Sequence, residues 1–439
     1  MTQADPRRAL APGARVALLI PGSEAYVVLV IALLRRGVFP VPMDPALMPG
    51  ERSGLLQDVR PTLTIDSQAA LEALLREVLA GSTDVDEGPP LGRPIHLTSG
   101  TTGRPKGVYS GLLSPDAAAA LVAEERDLWS FAPDDVNLVL SPLHHSAPLR
   151  FAVGTRLAGG RVVVPGPFDP ELVTAAIERE RPTSMFCVPT HLQRLFTHWD
   201  EHGTPDLSTF SLVAHAGAPC PEWVKRRLLT DFPVGSTWEF YGSTEGQFTA
   251  CRSEEWVERP GTLGRARTGR SMSVDDEGRL WCVVPPHARF SYLDDEEKTA
   301  QAWRETPDGP AFTVGDLGRI DEEGYIHLDG RREDLVISGG VNVYPAEVER
   351  VLAELDGVQD VAVFGREDER WGQRVCAAVV GPVEESALTS YARAQLAPAK
   401  RPKEWHRLDA LPRTRTGKVR RLDLPDLVAD EAGPVRGRD

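Results

Sequence analysis

Between residues 161 and 242, short apolar runs alternate with amphipathic stretches of helical length, and that alternation leaves few architectures open. "RVVVPG" at 161–166 reads as a strand. Asp169-Pro170-Glu171 then opens a helix, with a capping residue followed by proline at the first helical position. "SMFCVP" is the next strand, 190–199 a helix, "FSLVAHAG" a strand, 221–232 a helix and "TWEFYG" a strand. Strands and helices in strict turn build parallel α/β layers that hold ligands at the strands' carboxyl ends. The start of the chain repeats the pattern: "RVALLI" at 15–20, a helix over 24–36 between a Ser23 cap and Gly37, then "VFPVPM". A further helix starts at Pro115 behind a Ser114 cap.

The texture changes after about residue 330. A charged stretch leads into "ISGGVNVYP", a helix over 346–355, apolar strands at 359–364 and 374–380, and a helix near 385–396. The expected organisation is a large α/β domain over 1–329 and a small α+β domain over 330–439, ending in a loose tail. At 439 residues and 41% hydrophobic composition, the chain can bury two cores. Its 49 basic against 64 acidic residues give a net charge of -15, which argues against a general nucleic-acid binder. The five cysteines include no C-x-x-C pair and suit reduced thiols in a cytoplasm. No apolar leader core precedes Val16, and the longest apolar run, "AYVVLVIALL", is too short to span a bilayer.

"HLTSGTTGRPKGVYSG" at 96–111 gathers glycines and hydroxyls around one lysine. It is not a P-loop, which would need glycine where Pro105 stands and Ser or Thr where Gly107 stands. Thr98, Ser99, Thr101 and Thr102 offer hydroxyls, Gly100 and Gly103 free the backbone N–H groups, and Lys106 adds charge. A polyphosphate cradle and a plain surface turn both fit that composition. "WEFYGSTEG" at 238–246 places an aromatic, a hydroxyl and a carboxylate after a strand. Tyr241 suits a purine, Thr244 a phosphate, and Glu245 a Mg²⁺ ion, which prefers oxygen donors. "TVGDLG" at 313–318 sets Asp316 between glycines, suited to ribose hydroxyls. "GRRED" follows at 330–334, and "LPRTRTGKVRR" at 411–421 carries Lys418, which alone would read as a solvated lysine in a basic segment.

These segments, in this order, resemble the adenylate-forming superfamily of acyl-CoA synthetases, peptide-synthetase adenylation domains and luciferases. The resemblance runs from about Val16 to Leu424. It implies that ATP and a carboxylic acid give acyl-AMP and pyrophosphate, after which a nucleophile displaces AMP. It also implies ATP and Mg²⁺ as cofactors and coenzyme A as co-substrate. The loop from Thr98 to Lys106 would hold the β- and γ-phosphates, and Gly217, Ala218 and Pro219 the adenine with Tyr241 and Gly242. Thr244 would touch the α-phosphate, Glu245 would carry Mg²⁺, and Asp316 with Arg331 would hold the ribose. Lys418 would bridge carboxylate and phosphate until the small domain swings about Glu333, bringing up the "SGGVNV" hairpin. His145, Ser146, Ala147, His215, Gly242 and Ser243 would line the acyl pocket, with His191 a further candidate, and His145 is also a candidate for a direct catalytic role.

The chain departs from that pattern in places. The stretch before Arg15, the connection from "TLTID" to "PIHLTSG" and the region between "GTLGRA" and "TVGD" are all short, and the pivot is Glu333 where Asp or Lys is usual. His145-Ser146-Ala147 stand where an amino-acid site would place an aspartate, so an uncharged acyl body is expected. The leading reading is an acid–CoA ligase for a fatty or aryl acid. The alternative keeps the adenylation and changes the acceptor to a carrier-protein thiol, an amine giving an amide, or nitrite in a diazotisation. A non-catalytic nucleotide sensor would have lost Lys106, Glu245 or Lys418, and all are present.

Overall fold

The computed structural model describes residues 11–80, 88–98, 106–331, 334–338, 341–368, 371–396, 398, 400–414 and 417–431. The chain divides into two compact units. One comprises Met1–Met272 with Trp281–Val314, the other Ser273–Leu280 with Gly315–Asp439.

The first unit is layered α/β, as the alternation predicts. Arg15–Leu18 lies between Phe39–Pro42 and Leu63–Ile65 in a parallel three-stranded sheet. The apolar run becomes the helix Glu24–Arg35, with eight of its residues buried. The Ser23 hydroxyl caps it by accepting from the Tyr26 N–H at 3.1 Å. Among the described residues, no helix is long and apolar enough to cross a membrane. Two helices that the sequence reading did not mark, Pro49–Val59 and Gln68–Ala80, also belong to this layer.

The larger sheet has seven strands, in the order Arg265–Ala266, Thr249–Arg252, Thr237–Glu239, Leu212–His215, Ser184–Cys187, Val136–Val139 and Arg161–Val163. The last five are mutually parallel, and the first two extend the sheet antiparallel. Connecting helices fall where the caps predict. The Asp169 carboxylate accepts from the N–H groups of Glu171 and Leu172, opening Pro170–Glu180. From Val136–Val139 the chain passes to its neighbour on one side, then returns to Ser184–Cys187 on the other. Such a reversal opens a crevice at the strands' carboxyl ends, where open α/β sheets bind ligands. Two short antiparallel sheets complete the unit: His96–Thr98, Lys106–Tyr109 and Ser291–Tyr292 in one, and Gly309–Phe312 between Trp303–Thr306 and residues 282–283 in the other.

In the second unit a hairpin pairs Asp316–Ile320 with Ile326–Arg331, which ties the residues from Gly315 onward to this unit, ahead of Gly330. Five strands follow in one sheet: Val341–Val343, Val336–Ser338, Gly372–Val380 and Asp360–Asp368 in order, with Glu404–Arg407 parallel to Gly372–Val380. Alternate residues of Asp360–Asp368 serve two cores. Val361 and Val363 pack with Val348 and Leu352 of the helix Pro345–Leu352, whereas Ala362 and Phe364 pack with Leu424 and Val428.

Candidate functional site

In the first unit Gly217, Thr244 and Glu245 follow the carboxyl ends of their strands. After Thr237–Glu239 the chain turns tightly: the Ser243 N–H donates to the Gly246 carbonyl at 2.8 Å, and Gly242 bridges Gln247. A Cβ on Gly242 would lie 2.9 Å from the Gln247 Cα, so the turn requires glycine there. The Tyr241 ring stacks on Phe248, which stacks in turn on Phe312, with centroids 4.6 and 5.1 Å apart. Glu245 is buried, and its Oε1 accepts from the Tyr292 hydroxyl at 2.8 Å. That leaves a fixed carboxylate with an oxygen donor for a hard cation, a set that fits Mg²⁺. Thr244 and Ser243 are half-buried beside it.

Gly217, after Leu212–His215, has a φ of 95°, and a Cβ there would meet only Val188 at 3.7 Å. Backbone conformation, not space, selects glycine at this position. Ala218 and Pro219 continue the same loop. His145 is the N-cap of the helix Ser146–Leu157, its ring 4.2 Å from that of His144. Thr98 and Lys106 face each other in register across their strand pair. The Lys106 ammonium pairs with Asp295 at 2.7 Å, an acidic partner the sequence did not suggest. Ser99, Gly100, Thr101, Thr102 and Gly103 lie outside the described residues, as does Glu333.

A cavity of about 200 Å³ opens beside the 243–247 turn. Of the expected pocket residues, Ser146 and Ser243 line it, together with Thr244. His145, Ala147, His215 and Gly242 are not among its lining residues: Ala147 packs against the aromatic cluster around Phe151, and His215 is fully buried. His191 stacks on Phe168 at 4.0 Å. Sequence reasoning missed Arg93, Arg150, Arg267 and Arg270 on the cavity wall. Arg150 sits in the otherwise apolar "APLRFAV", a signal that could have marked it.

In the second unit Asp316 is buried and pairs in register with Arg331. Lys418 is exposed on a tight turn: its N–H donates to the Thr414 hydroxyl at 3.2 Å, and its carbonyl accepts from the Thr414 N–H at 2.8 Å. The turn is anchored by Arg413, paired with Asp360 at 2.6 Å.

Burial governs the histidines. It pulls His96 down to about 4, although its ring also faces the His144 carbonyl at 3.3 Å, and it pulls His191 equally low. Burial also holds His215 well below the usual range. Each is neutral when folded and takes up a proton on unfolding below pH 6.5, so stability is full above that pH and is lost as pH falls towards 4. His96 alone, shifted from 6.5 to about 4, contributes about 3 kcal/mol of that loss. Denaturant unfolding between pH 7.5 and 4.5 should show the decline, and His96→Phe should flatten it. An unchanged slope in that variant would contradict this.

The family model for AMP-binding enzymes matches residues 94–287, and that for the AMP-binding enzyme C-terminal domain matches 347–418. Feruloyl-CoA synthase of Amycolatopsis sp. is 35% identical, the alignment covering 93% of this chain and 87% of that protein. The ATP-bound MatB structure from Rhodopseudomonas palustris has a TM-score of 0.79 at 30% identity, covering 97% of this chain and 90% of the other. The amide bond synthetase McbA from Marinactinospora thermotolerans also gives 0.79, at 26% identity and with 96% and 92% covered.

Proposed function

Since the chain belongs to the AMP-binding enzyme family, it is an ATP-dependent, AMP-forming acid–CoA ligase, and we propose that its 243–247 turn and the adjoining cavity form the acyl-activating centre. The observation that carries this reading is the buried Glu245 carboxylate, fixed by Tyr292, on the turn whose Ser243, Thr244, Gly246 and Gln247 line the cavity.

A carboxylate is a poor acyl donor because its leaving group would be oxide. Its oxygen therefore first bonds to the α-phosphorus of ATP as the bond to the β-phosphate breaks and pyrophosphate leaves. The CoA thiolate then attacks the acyl carbon and expels AMP, which retains the former carboxylate oxygen. The first step brings two anions together and needs positive charge around them. Lys106, at the end of the Thr98–Lys106 loop, serves the β- and γ-phosphates, and exchanges Asp295 for them when ATP binds. Thr244 donates its hydroxyl to the α-phosphate, and Lys418 brings an ammonium to the reacting carboxylate. Glu245 holds Mg²⁺, which when bound neutralises phosphate charge. Gly217, Ala218, Pro219 and the stacked Tyr241 frame the adenine, and Asp316 with Arg331 takes the ribose. Ser146 and Ser243 border the acyl group. Glu333 is the pivot between the two half-reactions. The five free cysteines suit a reducing cytoplasm.

The resemblance to an aryl-acid ligase across 93% of the chain supports an aryl or related acyl acid as substrate. A second reading, an amine acceptor giving an amide, is supported by the likeness to McbA. A carrier-protein thiol would suit the basic segment 401–421. Product mass spectrometry with ATP, Mg²⁺, CoA and an acid panel separates these readings. Acyl-CoA, AMP and pyrophosphate are expected, and acyl-AMP that ignores CoA would contradict the thioester step. Glu245→Gln should lower pyrophosphate release roughly tenfold to a hundredfold and raise the Mg²⁺ concentration needed. Unchanged Mg²⁺ dependence would remove Glu245 from that role.

A further inference from the structure

The cavity beside the activation turn is far from uniformly apolar. Leu121, Val153, Leu157 and Phe312 belong to its lining, and so do Arg93, Arg150, Arg267 and Arg270 with four guanidinium groups. Arg267 and Arg270 are only 3% and 5% exposed. Two carboxylates of the helix Pro115–Trp129 answer them. Glu125 pairs with Arg267 at 2.8 Å and with Arg150 at 3.4 Å, and Glu124 pairs with Arg270 at 2.8 Å and with His287 at 2.5 Å. Among the described residues, the Arg93 guanidinium reaches main-chain carbonyls only, those of Glu245 at 3.3 Å and Arg289 at 3.4 Å.

Four guanidinium groups therefore face three carboxylates, Glu124, Glu125 and, acting on Arg93, Glu245, an excess of one positive charge among these residues. Several of the donors are idle: the Nε of Arg93, the Nη2 of Arg150 and the Nε of Arg267 are buried with no hydrogen-bonding partner among the described residues. Burial acts on the same groups. It lowers Arg93 to about 10 and pulls Arg150 down, while Glu125, which burial alone would raise, is held low by Arg150 and Arg267. Uncompensated buried cations are costly unless something else supplies the negative charge. A purely structural ion network would be expected to balance itself; this one leaves idle donors and positive charge on residues that line the cavity.

Resting on the acid-activating reading of the same cavity, we propose that the acid this enzyme takes carries a second anionic group, a carboxylate or an equivalent oxyanion. The reacting carboxylate lies towards Thr244 and Ser243, the apolar body lies along Leu121, Val153 and Phe312, and the distal anion is received by Arg150 and its neighbouring arginines. This reverses the expectation of an uncharged acyl body. That expectation weighed only the wall at 145–147 and not the arginines contributed by "GRPIH", "APLRF" and "GRARTGR". Arg150 is a specificity residue here and takes no part in the chemistry. Planar guanidinium groups suit a carboxylate because they can bind it through two parallel hydrogen bonds.

The test compares matched acids that differ only in the second charge: phenylacetate with homophthalate, cinnamate with 4-carboxycinnamate, hexanoate with adipate. For each pair, kcat/KM for pyrophosphate release is measured with the intact enzyme, ATP and Mg²⁺. The dianion of at least one pair should be preferred by roughly tenfold or more, the contribution of one charge-assisted hydrogen bond. Arg150→Met and Arg270→Met should each shrink that preference by a similar factor, and Arg150→Lys, which keeps the charge but loses the paired hydrogen bonds, should retain only part of it. A wild-type preference for the monoanion in every pair overturns the proposal while leaving the ligase reading intact. So does a preference that neither methionine variant alters. Calorimetric titration of the wild-type protein with homophthalate and phenylacetate reads binding without turnover. Tighter homophthalate binding is expected, and equal or weaker binding overturns the proposal even if no acid is turned over. Failure of every acid to release pyrophosphate would instead strike the ligase reading.

Discussion

Lys418→Ala should lower the rate of acyl-AMP formation by roughly a thousandfold, the upper range for removing one fixed electrostatic donor. The same variant should unfold within about 0.5 kcal/mol of the parent, because substitution of an exposed side chain away from the core seldom costs more. The turn itself should survive. It is held by the Thr414 N–H and hydroxyl acting on Lys418 main-chain atoms, and by Arg413 on Asp360, none of which involves the ammonium. Thioester formation from preformed acyl-AMP is the internal control. The anion that attacks there is a thiolate on an already activated carbon, so the loss should be far smaller. Equal damage to both half-reactions would contradict the assignment, and so would a loss of adenylation smaller than about threefold.

Lys225→Met should destabilise the first unit by about 3–5 kcal/mol, the cost of leaving one member of a buried ion pair alone. Lys225 and Glu239 are 3% and 8% exposed, and the ammonium is bonded to the carboxylate within the helix–sheet interior. The Lys225 ammonium also lies 4.4 Å from the centre of the Trp256 ring. Without it, Glu239 holds a charge that neither water nor a partner compensates. Glu239 ends the strand from which Phe240 and the 241–247 turn emerge, so the damage reaches the site through its support. Lys225→Met combined with Glu239→Gln should recover most of the loss in urea unfolding, because no bare charge remains. The exposed pair Arg226–Glu222, 59% and 57% accessible, is the contrast: breaking it should cost no more than about 1 kcal/mol. A double variant no more stable than Lys225→Met alone would rule out charge burial as the cause.

What the sequence revealed followed from short-range physics. Ser23, Ser114 and Asp169 marked helix starts because a capping side chain acts within three residues, and each caps its helix in the structure. Most of the parallel strands were legible because a strand buried on both faces is an unbroken apolar run, whereas Val136–Val139, interrupted by Asn137, and the three-residue Leu63–Ile65 were not read. The antiparallel extension through Thr249–Arg252 and Arg265–Ala266 was not, since short edge strands carry too few residues for a period to show. The turn bearing Thr244 and Glu245 could be read from its own residues. Its supports could not: Tyr292 lies 47 positions from Glu245, and Asp295 reaches Lys106 from a separate segment. Nor could the arginine wall, whose members come from three separate stretches that only folding brings to one cavity. The pocket expectation faltered for the same reason. Adjacent residues on a helix point in different directions, so Ser146 faces the cavity while Ala147 turns into the aromatic core.

The central claim is that a carboxylate oxygen of the acid becomes bonded to the α-phosphorus of ATP. It is tested most directly by supplying the best acid of the panel with both carboxylate oxygens as ¹⁸O, together with ATP, Mg²⁺ and CoA, and weighing the nucleotide product. One ¹⁸O atom per AMP, with unlabelled pyrophosphate, is the predicted result. Label in orthophosphate with ADP as the nucleotide product, or AMP carrying no label while thioester accumulates, would contradict it.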